Sequence, residues 1–145
     1  MDIKIIENIS DTLQIIINCR KKDERTVRLA EYIEKFEADR LQAKLDGRTY
    51  FIAYNEVMYF DCADNRTFLY TEDKIYEIKH RLYELEEILP EGDFIRTSKS
   101  QIININKISS LKPELNRTLL AVMCTGERLY ISRKYVKKIR ELLEV

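Results

Sequence analysis

The stretch FIRTSKSQIININKI, residues 94–108, decides the reading of this chain. It opens and closes on apolar, β-branched residues and turns polar in the middle, which is the signature of strand, turn, strand. The middle is Arg96-Thr97-Ser98-Lys99-Ser100: two cations, three hydroxyls and no carboxylate. Such a loop presents donors to an anion, because Lys and Arg neutralise phosphate while hydroxyls bond phosphate oxygens and fix register. The competing reading is local, with Ser and Thr closing a turn at a strand bend. Asn104, between Ile103 and Ile105, reads as an amide that bonds backbone inside the fold.

Short strands continue on both sides. RLQAKLDGRTYFIAY, residues 40–54, alternates Leu41, Ala43 and Leu45 before Asp46-Gly47. Asp-Gly between alternating runs predicts a two-residue hairpin, because a type I′ turn needs positive φ at both central residues. VMYFDC and RTFLYT form a second strand pair around Ala63-Asp64-Asn65, and KIYEIK a further strand. The spacing of Leu82, Leu85, Ile88 and Leu89 predicts a helix over 79–89, closed by Pro90 to Gly92. Downstream, KISSLK, TLLAVMC and ERLYISR read as strands, and RKYVKKIRELLEV as a last helix buried through Val136, Ile139 and Leu142/Leu143 with Ser132 placed to cap it. Upstream, DIKIIENI and TLQIIINC read as strands joined at Ser10-Asp11, and Val27, Ala30, Ile33 and Phe36 mark a helix that Asp23 can cap.

The chain of 145 residues is long enough for one domain and a modest appendage, and its 45% hydrophobic content is that of a folded protein. Net charge is +0, but its distribution is uneven: residues 94–145 hold 11 Lys and Arg against 4 Asp and Glu, whereas residues 1–93 hold 14 against 21. A basic part joined to an acidic part suggests that the basic part meets an anion. Cys19, Cys62 and Cys124 are odd in number and widely spaced, which argues against a disulfide framework or a zinc site. With no basic, apolar leader at the start, a cytoplasmic protein is expected.

Support for catalysis is thin. His80 is the sole histidine and no Ser, Cys or carboxylate accompanies it. Asp61, Asp64, Glu72 and Asp73 cluster without calcium-loop spacing, and the 3 glycines leave little room for a nucleotide fingerprint. The reading is therefore not an enzyme, with no cofactor. The nine tyrosines alternate with apolar neighbours, as packing residues do.

NEVMYFDCADNRTFLYT, FIRTSKSQIININKI and YISRKYVKKI, taken together, resemble the LytTR DNA-binding domain of bacterial transcription regulators. The residues that carry it are Phe94, Arg96, Lys99, Ser100, Ile102, Ile103, Asn104 and Ile108, then Ser132, Arg133, Lys134 and Tyr135, and the match spans roughly residues 40–145. The resemblance implies a mainly β (α+β overall), elongated fold of short antiparallel sheets with small helices, preceded by an N-terminal βα extension. It implies binding of double-stranded DNA through inter-strand loops that reach the major groove. Carried over residue by residue, the first loop offers Asn65 and Arg66, the middle loop Lys99 with Arg96, Ser98 and Ser100, and the last loop Arg133 and Lys134. Larger relatives place a receiver domain ahead of this one. About 40 residues are too few for a receiver, so a stand-alone regulator is expected, with 1–39 as a dimerisation element, 40–145 as the DNA-binding domain, and a membrane-protein partner as in similar stand-alone proteins.

Physical reasoning beside the resemblance points the same way. Arg133 and Lys134 at a helix N-terminus oppose the dipole by about 0.3–1 kcal/mol each, so a ligand that needs cations explains them better than stability does. Asn65 suits adenine N6/N7 if it reaches the groove. The alternative is a protein-interaction module of the same fold that acts on another regulator or a membrane-bound partner without binding DNA. An RNA binder fits less well, since the basic residues lie in loops and not on an aromatic sheet face.

Overall fold

The computed structural model describes residues 1–7 and 14–144, apart from the side chains of residues 35–38. The chain divides into two units, Met1–Ala38 and Asp39–Val145.

The first unit holds helix α1, Glu24–Ala38. Asp23 caps it as expected: its carboxylate accepts from the Thr26 N–H at 2.8 Å and from the Thr26 hydroxyl at 2.7 Å. Those bonds, the backbone one foremost, hold its pKa below the usual carboxylate range. Val27, Ala30 and Ile33 are half-buried on one stripe. The two expected N-terminal strands differ. Their described parts, 2–7 and 14–19, carry no regular structure, and Ile3, Ile5, Ile6, Ile15 and Ile16 are exposed. The expected turn at Ser10-Asp11 lies outside the described residues. The physical reason is that an isolated two-stranded ribbon is marginal without a third strand or a packed face.

The second unit begins with the expected hairpin, β1 (Arg40–Leu45) and β2 (Arg48–Ala53). Asp46 and Gly47 have φ of 51° and 75°, both positive as a type I′ turn demands. There follow β3 (Tyr59–Ala63), β4 (Arg66–Tyr70), β5 (Ile75–Ile78) and helix α2 (Leu82–Ile88). Next come β6 (Phe94–Ser98), β7 (Gln101–Asn104), β8 (Ile108–Pro113), β9 (Leu119–Met123), β10 (Arg128–Ile131) and helix α3 (Arg133–Leu143). Among the described residues, seven strands form one sheet in the order β2-β1-β5-β4-β3-β7-β6, and three form a second in the order β10-β9-β8. Every pair is antiparallel.

Strand alternation sends successive residues to opposite faces of the large sheet. Phe60 sits opposite Ile102, and both pack with Leu69, Phe94 and the α2 residues Leu82 and Leu85. Tyr59 sits opposite Ile103, and both pack on the other face with Leu119, Met123, Ile131 and Ile139 of the small sheet and α3. The central strands are therefore covered on both sides. A slip of one residue would exchange the two cores, so register here is strongly specified. Asn104 is 2% exposed; its Nδ2 donates to the Val57 carbonyl at 2.8 Å and its Oδ1 accepts from the Asn106 N–H at 3.0 Å, the internal role read from the sequence.

Both helices of this unit depart slightly from expectation. α2 starts at Leu82 because Lys79 to Arg81 continue out of β5, and the Arg81 N–H is capped by Glu84 Oε1 at 3.0 Å. In α3 the inward stripe is the buried Ile139 with the half-buried Val136 and Leu143; Leu142 falls on its flank and is exposed.

Candidate nucleic-acid interface

Sheet order brings together three connections far apart in sequence. The β3–β4 turn and the β6–β7 turn leave the same end of the large sheet, tied where the Cys62 N–H donates to the Ser100 carbonyl at 2.8 Å. The β10–α3 junction joins them through Thr97: its carbonyl accepts from the Ser132 N–H at 2.9 Å and from the Ser132 hydroxyl at 3.1 Å. Two basic loops more than thirty residues apart are thus anchored on one carbonyl.

The middle loop is held from inside. A register shift between Arg96 and Ser98 buries Thr97, whose hydroxyl donates to Gln101 Oε1 at 3.1 Å. Arg96 curls back: its Nε donates to the Ser98 carbonyl at 2.7 Å, and its terminal nitrogens reach the Lys99 carbonyl and Glu86. Ser98 Oγ accepts from the Ser100 N–H at 3.2 Å and lies 3.4 Å from its hydroxyl. The local reading of this loop is observed directly. The hydroxyls and Arg96 shape the turn, while the exposed Lys99 side chain has no hydrogen bond or ion pair among the described residues. A loop fixed before it meets its ligand loses less entropy on binding.

In the first loop Asp64 and Asn65 occupy the turn with φ of 53° and 60°, and Asn65 is exposed. Arg66 is engaged with the protein: it bonds Glu77 through two contacts of 2.9 and 2.6 Å and lies 5.6 Å from the Phe68 ring centroid. That pairing lowers the Glu77 pKa and raises that of Arg66.

In the last loop the expected cap is absent. The Ser132 hydroxyl is turned to Thr97, so no side chain caps the first turn of α3. The positive end of the helix stays open and carries the exposed Arg133 and Lys134, with the Lys134 ammonium 5.6 Å from the Tyr135 ring. Free N–H groups, the dipole and two cations together favour an anion there.

Of the residues named from the sequence, Asn65, Lys99, Arg133 and Lys134 stand at this end without a side-chain hydrogen bond or ion pair among the described residues, whereas Arg66, Arg96, Ser98 and Ser100 are tied into the scaffold. Three further exposed cations share this end. Lys79 and Arg81 follow β5 at the same end, and Arg117 sits in the β8–β9 turn, where Pro113 and Ile131 both flank Leu119. No local motif marks them; only strand order places them here. His80 is half-buried and its Nδ1 is buried with no hydrogen-bond partner among the described residues, so no acid–base pair forms around it. No helix among the described residues is long and apolar enough to cross a membrane.

The family model of the LytTr DNA-binding domain matches residues 47–144. Sensory transduction protein LytT of Enterococcus faecalis is 30% identical over 114 residues, covering 79% of this chain and 46% of that protein, so the chain spans about half of that relative. An uncharacterized HTH-type transcriptional regulator of Staphylococcus aureus is 31% identical over 137 residues, covering 94% of this chain and 84% of its own length. A solved LytTr DNA-binding domain from Bacillus cereus superposes with a TM-score of 0.71 at 31% identity, covering 74% of this chain and 98% of that one. The chain belongs to the LytTR DNA-binding domain family, a family of DNA-binding domains and not of enzymes.

Proposed function

We propose that the protein is a sequence-specific transcriptional regulator that reads duplex DNA in the major groove through its three gathered loops. The observation that carries this is the convergence of Asn65, Lys99, Arg133 and Lys134 at one sheet end, with their donors unengaged and their loops anchored on Thr97 and Ser100. Lys99 and Arg133 suit guanine O6/N7, Asn65 suits adenine N6/N7, and Lys134 with the open end of α3 suits phosphate. Arg96 and Arg66 act as supports that fix the loops. The protein acts in the cytoplasm as a homodimer, with residues 1–39 as the dimerisation element. Their exposed isoleucines support that role, since an exposed apolar segment gains a partner in a second copy. Half-sites then lie about one helical turn, or a multiple of it, apart.

The test is fluorescence anisotropy with a labelled duplex from the promoter upstream of the protein's own coding region, against a scrambled duplex, at two salt concentrations. Preference for the native duplex that survives the higher salt is expected. No binding to either duplex at low salt defeats the proposal and leaves the protein-interaction module.

A further inference from the structure

β1 and β5 are paired only where Lys44 meets Glu77. β5 ends at Ile78, and beside the Arg40 half of β1 lies a cleft of about 700 Å³. Its cations are Arg40, Lys44, Arg66, Lys79 and Arg81, and Glu77 is its single carboxylate. Arg66 already neutralises Glu77. That leaves Arg40, Lys44, Lys79 and Arg81 exposed and without an ion pair among the described residues. Like charges gathered around one opening repel one another unless an anion stands between them. Asn65 and Arg66 line this cleft as well as forming the β3–β4 turn, so the cleft is continuous with the three-loop end.

We propose that the cleft binds the sugar-phosphate backbone of DNA flanking the bases read by the loops. This rests on the DNA-binding reading and extends it beyond the loops. The loops span β6 to β4, and the cleft lies beyond β4 toward β5 and β1. At about 4.8 Å per strand, these two steps add roughly 10 Å to the DNA-facing end. A duplex lying along that end offers one phosphate per strand about every 3.4 Å, hence roughly three further phosphates. The cleft cations carry no sequence preference, since phosphate contacts position a protein without reading bases.

The experiment uses the full chain and a labelled mixed-sequence duplex of about 40 base pairs, with affinity measured across a salt series. One variant removes the cleft charges, Lys44→Gln, Lys79→Gln and Arg81→Gln together. A second removes three exposed charges at the opposite end of the sheets, Arg48→Gln, Lys74→Gln and Arg128→Gln, and controls for net charge. A third, Lys99→Ala with Lys134→Ala, tests the loops. The cleft variant is expected to lower the slope of log affinity against log salt by about two to three, while the opposite-end variant changes it by less than about one. Equal slopes for wild type and the cleft variant, with a reduced slope for the loop variant, overturn the cleft alone. A wild-type protein with no salt-dependent binding overturns cleft and loops together. If inorganic phosphate raises the melting temperature of wild type but not of the cleft variant, and the DNA slopes are equal, the cleft holds a free anion and the proposal fails.

Discussion

Two hairpin turns of this protein have nearly the same backbone and different chemistry. The β1–β2 turn uses Asp46 and Gly47, the β3–β4 turn Asp64 and Asn65, and all four residues have positive φ. At the first turn glycine takes the left-handed conformation without a Cβ penalty. At the second, Asn stands where Gly would be easier for the backbone. The first turn lies at the end of the sheet away from the loops, and the second lies at the end where the loops gather. Where a turn only reverses the chain, the residue suits the backbone; where it faces the proposed ligand, it carries an amide that glycine lacks. The cations divide in the same way. Arg66 and Arg96 are ion-paired to the protein, and Lys99, Arg133 and Lys134 have no ion pair among the described residues.

The largest effect expected from this division is at the free lysines. Lys99→Ala and Lys134→Ala should each lower affinity for the target duplex by about 1–3 kcal/mol, roughly 5- to 150-fold, with the melting temperature nearly unchanged. Titration and thermal unfolding of the same preparations check this, and unaltered affinity in both variants would remove the site assignment. Arg96→Ala should act on both quantities. It leaves the Ser98 and Lys99 carbonyls and Glu86 without their donor, which costs about 1.5–3 kcal/mol of stability and loosens the loop. A fall in affinity with no change in melting temperature would make Arg96 a contact instead of a support.

The turn comparison itself can be broken by exchange. Asn65→Gly should keep or slightly raise stability and lower affinity at least about fivefold, because only the amide is lost. If affinity holds, Asn65 is a turn residue like Gly47. Gly47→Ala should cost about 1–2 kcal/mol of stability and leave DNA binding untouched, since Gly47 has φ of 75° at the far end. The smallest effect concerns acid. The folded-state pKa of Glu77 is depressed by Arg66, so its pairing stabilises above the unfolded carboxylate pKa and is lost as pH falls through the folded value. Glu77→Gln should flatten the pH dependence of the melting temperature slightly below pH of about 4.5, and an identical profile would show that this exposed pair contributes nothing measurable.

Much of this was legible in the sequence, for local reasons. Asp46-Gly47 dictates a hairpin through φ alone, the alternation of Leu41 and Ala43 dictates which face is buried, and the run from Phe94 to Ile108 announces two strands around a donor-rich turn. The donor-bearing loops could be named one by one from FIRTSKS and ISRKY. What those segments do not contain is their mutual arrangement. Only the strand order puts the turns at Asn65 and Lys99 side by side, and only the Thr97 carbonyl joins them to Ser132. The same order recruits Lys79, Arg81 and Arg117, which lie in no motif. Equally, residue type could not say which cations are free, because Arg96 and Lys99 offer similar charge three positions apart. The sequence by itself determined the elements from Arg40 onward, most of their buried faces and the donor-bearing loops, since these follow from φ preferences and periodicity; it overstated the strands at 2–9 and 12–19. The tertiary structure decided which donors have internal partners and which do not, because hydrogen bonding between distant residues depends on where the chain returns and not on what precedes it.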